Sequence, residues 1–287
     1  MKYQFIEQHR EIFRVTAMCT MLEVSRSGYY EWRDRPPSAR TLENERLLSL
    51  IRRTHVESGE NYGDRKTWEA LRAQGESCGR HRVARLRRHS GLIAKRVRRF
   101  RQAYASRSSE PPAPNLLDRN FTTRRPNRVW VTDITFVPTR RGWLYVAVMV
   151  DLYSRRVVGW SMSKRIDQQL VLDALHMAIR QRRPSPGLIV HSDQGQQYAG
   201  STYRDVLRRH GLVQSMSRKG NCLDNAVAES FFSNLKNELV HHVVFEDRDE
   251  ARVAIFDYME VFYNRKRIHQ TLGFRSPADF EMMANVA

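Results

Sequence analysis

Apolar positions along the chain follow two rhythms. From the start to about residue 104 they recur at helical intervals, and from Arg128 to Ser163 they alternate or run together as strands do. Phe5, Ile6, Ile12, Phe13, Val15, Met18, Met21 and Leu22 predict a helix. A turn at Glu23 to Ser25 and a second helix capped by Ser25 make this a helix-turn-helix pattern. Pro36-Pro37-Ser38 breaks the chain, and three further helices are expected at Leu42 to Ile51, Arg65 to Leu71 and Ser77 to Leu86. Three strands follow, at Arg128 to Pro138, Gly142 to Tyr153 and Arg156 to Ser163, with tight turns that imply an antiparallel meander. Helices at Gln168 to Arg182 and Thr202 to His210 then alternate with short strands at Leu188 to Val190 and Val213 to Met216. Asp224 and Asn225 offer capping side chains to a helix whose Val227, Phe231, Leu235 and Leu239 face a core. A last helix, Asp247 to Tyr263, is expected to pack Phe256, Met259 and Phe262 inward.

The pattern divides the chain into an N-terminal helix-turn-helix-like module (1–37), a second, basic module of the same kind (38–104), a polar linker rich in Pro and Ser (105–127), a catalytic core (128–245) and a C-terminal helical extension (246–287). The fold class is α+β.

Three carboxylates change the picture. Asp133 sits inside a β-branched and aromatic strand, an expensive place for a charge unless a partner or metal meets it. Asp193 follows the run Leu188-Ile189-Val190, where a strand gives way to a glycine turn. Thirty-five residues separate it from Glu229, which lies off the apolar stripe of its helix, and Lys236 lies two turns further on the same face. Taken singly, Asp193 reads as a turn former, Glu229 as a solvated helix residue and Lys236 as half of a surface ion pair. Together the acids offer hard oxygen ligands suited to two Mg²⁺ ions, with Mn²⁺ as an expected substitute, and so to phosphoryl transfer. Asp151 also ends an apolar strand, but Arg155 and Arg156 beside it point to a structural role.

Net charge is +18. An excess of that size predicts a polyanionic partner, because bound Lys and Arg release counterions from nucleic acid. No acid occurs between Glu76 and Glu110, so Arg80, Arg82, Arg85, Arg87, Arg88, Lys95, Arg96, Arg98 and Arg99 form one basic stretch and are the expected contacts to duplex DNA. The helix from Gly79 is the candidate recognition helix. Cys19, Cys78 and Cys222 are scattered singly, which fits a reducing compartment and no disulfide framework. Neither a signal peptide nor an apolar run near 18 residues is present, so no membrane partner is expected.

Four motifs carry a family resemblance. They are Trp130-Val131-Thr132-Asp133, His191-Ser192-Asp193-Gln194-Gly195, Lys219 through Asp224-Asn225 to Glu229-Ser230-Phe231-Phe232, and Tyr263-Asn264 through Arg267-Ile268-His269 to Ser276-Pro277. In that order they resemble the insertion-sequence-three family of DDE transposases, specifically its second-reading-frame product, with a retroviral-integrase-like, RNase H-like core. The resemblance covers nearly the whole chain. It implies a DNA strand transferase that binds the terminal inverted repeats of its own mobile element, cleaves to a 3′-OH and joins that end to a second strand for transposition and DNA integration. Asp133, Asp193 and Glu229 would be the catalytic metal ligands, Lys236 would contact DNA, and Arg267 and His269 are expected to touch phosphate.

The resemblance also implies a bacterial, cytoplasmic, nucleoid-associated protein acting as a homodimer or higher oligomer on element ends and target DNA. The family's first reading frame adds a helix-turn-helix and a leucine zipper by fusion. This chain starts on the second-frame pattern without a sustained heptad repeat, so the first-frame product is an expected partner. Two other classes share some features: a catalytically idle DNA-binding regulator of transposition, and an RNase H-type ribonuclease, which the basic helical modules argue against.

Overall fold

Strand β1 (Val129–Thr139) sets the geometry of everything downstream. In the computed structural model, which describes residues 1–95, 112–218 and 222–284, β1 is the middle strand of a five-stranded sheet of order β3-β2-β1-β4-β5. Strands β2 (Gly142–Asp151) and β3 (Val157–Ser163) complete the antiparallel meander. Helix α7 (Gln168–Arg182) then crosses over, so β4 (Ile189–Ser192) pairs parallel with β1. Helices α8 (Gln196–Ala199) and α9 (Ser201–Arg209) lead to β5 (Val213–Met216), parallel to β4.

Both faces of the sheet are covered. Pleating sends Trp130 of β1, with Ala147 and Met149 of β2, into one core with α7 and α9. Val131 and Val137 of β1, with Val146, Val148 and Val150 of β2, enter the other core, beneath α10 (Ala226–Glu238) and α11 (Arg248–Phe256). Phe231 and Leu235 of α10 are fully buried there, each worth about 1.5–3 kcal/mol over exposure. On the first face α7 approaches β3 so closely that a Cβ on Gly159 would collide with the Ala174 carbonyl, so only glycine fits.

After α11 the helix widens to π geometry over Asp257–Tyr263, with Asn264 N–H donating to the Met259 carbonyl at 3.0 Å. The extra residue per turn shifts the buried face to Ile255, Tyr258, Met259 and Tyr263. Phe256, expected inside, is therefore 43% exposed and meets Trp160 edge-on at 5.8 Å, while Phe262 is only partly buried. Helix α12 (Pro277–Ala284) ends the described chain. Its Glu281 is buried with Ser154, Arg156 and Arg182, so the C-terminal residues are part of the core's second layer rather than an appendage.

The molecule divides into two compact units, Met1–Ile51 and Arg52–Ala287. The first unit contains α1 (Lys2–His9), α2 (Val15–Met21) and α3 (Arg26–Asp34) around Ile6, Met18, Cys19 and Tyr29. The single long helix expected before Glu23 is two helices, separated at Arg10 to Arg14. Ser25 caps α3 by accepting from Gly28 N–H at 3.3 Å. Helix α4 (Ala39–Glu57) begins in this unit and ends in the second, where α5 (Asp64–Ala73) and α6 (Arg80–His89) follow.

Residues 112 to 127, expected to be linker, are folded onto the sheet. Met216 N–H donates to the Pro114 carbonyl, Leu116 N–H donates to Ser215 Oγ at 2.9 Å, and Leu117 is buried in the α10 core. Most of these residues remain exposed, so the polar composition reflects solvation as well as the specific bonds.

Candidate active site

Asp133 and Asp193 occupy matching places on neighbouring strands. Val131 of β1 pairs with His191 of β4, so two residues further along in the same direction each strand delivers its aspartate. Asp133 lies within β1 on its α10 side, and Asp193 stands one residue past the end of β4, close enough for its charge to act on Asp133. Asp133 Oδ1 accepts from Ile134 N–H at 2.8 Å, and Asp193 Oδ1 accepts from Gly195 N–H at 3.0 Å. A Cβ on Gly195 would stand 2.9 Å from that same oxygen, which explains glycine two residues after the acid.

Glu229 and Lys236 lie on α10 above this pair. Burial, then the charge of Asp193, then that of Glu229 push the Asp133 carboxyl up to about 8, while Lys236 opposes them. Burial raises the carboxyls of Asp193 and Glu229 as well. Lys236 is shifted down by burial and held up by Asp133, with its ammonium 5.0 Å from the centre of the Phe136 ring on β1. All four predicted residues therefore share one electrostatic field. Among the described residues no group of three or more His, Cys, Asp or Glu side chains forms a cation cage; Asp193 and Glu229 are both solvent-exposed and Asp133 is half-buried. The donor set nevertheless fits a hard cation, since positive charge is what would relieve the repulsion felt at Asp133.

The motif residues around the acids hold this geometry. His191 is buried between Ser215 Oγ (2.8 Å) and Ser217 Oγ (3.1 Å), and burial lowers it to about 4, so it is a neutral structural group. Gln194 donates to the Ser217 carbonyl. Asp224 and Asn225 do not cap α10 as expected. Asn225 donates to the Thr132 carbonyl on β1, and Asp224 accepts from Arg218, Arg119 and Asn115, which hold its carboxyl well below the usual range. Sequence reasoning missed these roles because Thr132, Arg119 and Asn115 lie about a hundred residues upstream.

Asp151 reads as a structural group, its carboxylate bonded to backbone N–H groups with the charges of Arg155 and Arg182 nearby. It is fully buried and accepts from the N–H groups of Asn127, Tyr153 and Ser154, while Arg156 pairs with Glu281.

The other predicted contacts separate by burial. On α6, Arg80, Arg85 and Arg88 are exposed, Arg82 is half-buried, and Arg80 also pairs with Asp64 at 3.0 Å. Arg87 is 4% exposed and donates to Thr67 Oγ1 (2.9 Å) and the Tyr62 carbonyl (2.8 Å), so its guanidinium is engaged inside this module. Lys95 is half-buried, and Arg96, Arg98 and Arg99 lie outside the described residues. Arg267 and His269, expected to touch phosphate, are both buried. Arg267 is buried and forks onto Glu238, the last residue of α10, at 2.6 to 3.0 Å. His269 is buried beside it, and burial, Arg267 and Lys66 keep it neutral.

Family models match the chain as an integrase core domain over residues 123–222 and again over 229–284, and as an HTH-like domain over 42–100. The transposase InsF of insertion sequence IS3A from Escherichia coli K12 is 43% identical over 98% of both chains. The chain belongs to the IS3 transposase family. It is a DNA transposase with an integrase-type core, and so of the polynucleotidyl transferase class. An uncharacterized 31 kDa protein of insertion element IS600 from Shigella sonnei is 47% identical over 92% of this chain and 97% of its own. Among solved structures, a chain of the simian T-cell lymphotropic virus intasome in complex with PP2A regulatory subunit B56 gamma aligns with TM-score 0.46 and 17% identity, over 74% of this chain and 69% of that one. The HTLV-2 integrase catalytic core in complex with magnesium aligns with TM-score 0.42 and 16% identity, over 55% and 97%. No helix of the transposase's described residues is long and apolar enough to cross a membrane.

Proposed function

We propose that this transposase is a DDE strand transferase acting on the terminal inverted repeats of its own element, with Asp133, Asp193 and Glu229 as the ligands of two Mg²⁺ ions. The observation that carries this reading is the matched placement of Asp133 and Asp193 on adjacent parallel strands, facing Glu229 and Lys236. When bound, the metal supplies activation of the attacking oxygen and stabilisation of the leaving one. Lys236 holds a DNA phosphate beside the acids. Hydrolysis of the end phosphodiester frees a 3′-OH, and that hydroxyl displaces an alkoxide in line at a second phosphodiester; no covalent enzyme intermediate is needed. The exposed Arg80, Arg85 and Arg88 of α6 hold duplex backbone. Two DNA ends call for a dimer or higher oligomer, with the first-frame product as a further partner.

The test is cleavage and strand transfer by the full chain on oligonucleotides from the DNA flanking its gene. Mg²⁺- or Mn²⁺-dependent cuts ending in 3′-OH, absent from Asp193→Asn and Glu229→Gln while end binding persists, support the reading. Binding without cutting, in the presence of the first-frame product as well, favours the idle regulator.

A further inference from the structure

Arg119 lies in the stretch expected to be linker, and nothing in the reaction above uses it. Asp118 and Arg119 both adopt left-handed backbone, with φ of 40° and 63°, which disfavours any residue but glycine. Asn115 holds the turn by accepting from the N–H groups of Leu117 (3.1 Å) and Asp118 (3.0 Å), while its amide donates to Asp224 at 3.0 Å. A strained turn that is held in this way delivers one side chain to one place. Arg119 Nε donates to Asp224 Oδ1 at 3.1 Å.

Arg218 meets the same carboxylate from the other side, through its backbone N–H (3.0 Å), Nε (2.9 Å) and Nη2 (2.9 Å). Asp224 is fully buried with both oxygens engaged, yet the two arginine side chains are 46% and 51% exposed. Two guanidiniums on one buried carboxylate leave a net positive charge. Asp118 touches Arg218 at 3.3 Å from the solvent side, where an 80% exposed carboxylate screens little. The two terminal nitrogens of Arg119 have no partner among the described residues.

The location is specific. Ser217 N–H donates to the Ser192 carbonyl, so Arg218 leaves β5 at the end where Asp193 leaves β4. Asn225, next to Asp224, is bonded to the residue before Asp133.

We propose that Arg119 and Arg218 form a phosphate clamp for the DNA strand entering the active site, held in position by Asp224 before DNA arrives. The inference rests on the strand-transfer reading, because a phosphodiester must sit at this end of the sheet. Arg119, fixed through Nε, keeps its terminal N–H groups for phosphate oxygens, while Arg218, held on Asp224 through Nε and Nη2, offers the Nη1 that a phosphate oxygen would take over from the exposed Asp118.

Chemical neutralisation of single phosphates tests this. The full chain is titrated, without divalent metal, with end oligonucleotides that each carry one methylphosphonate linkage near the cleavage point. Wild type loses about tenfold in affinity at one or two linkages, the scale of a charge-assisted hydrogen bond. Arg119→Gln binds the natural end more weakly and shows no further loss at its linkage; Arg218→Gln does the same at a neighbouring one. Should Arg119→Gln fail to fold, Arg218→Gln carries the comparison alone. Equal losses for wild type and the folded variants at every linkage overturn the clamp. Because binding is read without metal, a wild type that never cuts removes the strand-transfer reading and leaves this result to stand or fall by itself.

Discussion

The side-chain amide of Asn225 donates to the main-chain carbonyl of Thr132 at 3.2 Å, joining the residue at the head of α10 to the residue before Asp133. One hydrogen bond thus relates the helix carrying Glu229 and Lys236 to the strand carrying the first aspartate. Asn225→Ala releases that tie without touching a carboxylate. Cleavage should fall about ten- to a hundredfold, as misplacement by an ångström commonly costs, with end binding within about twofold of wild type. Single-turnover cleavage beside a binding titration measures both; equal loss in the two would remove the positioning role.

Asp133 makes stability depend on pH. An unfolded chain releases this proton near the ordinary 3.8, whereas the folded chain holds it to about 8. Between those values the unfolded state binds fewer protons, so this group's effect is to lower stability as pH rises, levelling off above 8. The raised carboxyls of Asp193 and Glu229 act in the same direction. Asp133→Asn should therefore melt above wild type by a margin that widens from pH 5 to pH 8, in chelator to keep metal away. A margin constant across that range would count against a shifted Asp133.

Within α6, two adjacent arginines should behave oppositely. Arg85→Ala with Arg88→Ala removes exposed charges, so DNA affinity drops and the salt dependence flattens by about 0.9 for each phosphate no longer neutralised. Arg87→Ala instead strips the buried partner of Thr67 and Tyr62, and its first effect is on melting, by about 1–3 kcal/mol. A normal melting curve with weakened DNA binding in Arg87→Ala would reverse this assignment.

Arg267→Ala leaves Glu238 buried without its cation, a loss of about 3–5 kcal/mol for a broken buried pair. Chemical denaturation should show it. The salt slope of DNA binding by the protein that remains folded should match wild type, since this guanidinium neutralises no phosphate.

Much of this was legible in the chain. The meander and crossover follow from runs such as Val129 to Val137, whose β-branched and aromatic residues are buried or half-buried throughout. Asp133 was conspicuous because a charge inside such a run needs a reason. What escaped was information held between distant residues. Arg87 and Arg88 are neighbours in one basic stretch, and only the packing of Thr67 and Tyr62 decides which is inside. Arg267 belongs to Glu238, twenty-nine positions away. Phe256 turned outward because the helix changes pitch after it, which helical periodicity cannot anticipate.

The folding of residues 112 to 127 onto the sheet also sets where a working fragment of this transposase can be cut. A truncation at Arg128, the natural choice from composition, removes Leu117 from the α10 core and strips Asp224 of Arg119 and Asn115, two of its three side-chain partners. A fragment that starts by residue 112 keeps all of these, so the smallest autonomous core includes a stretch that looks like a tether.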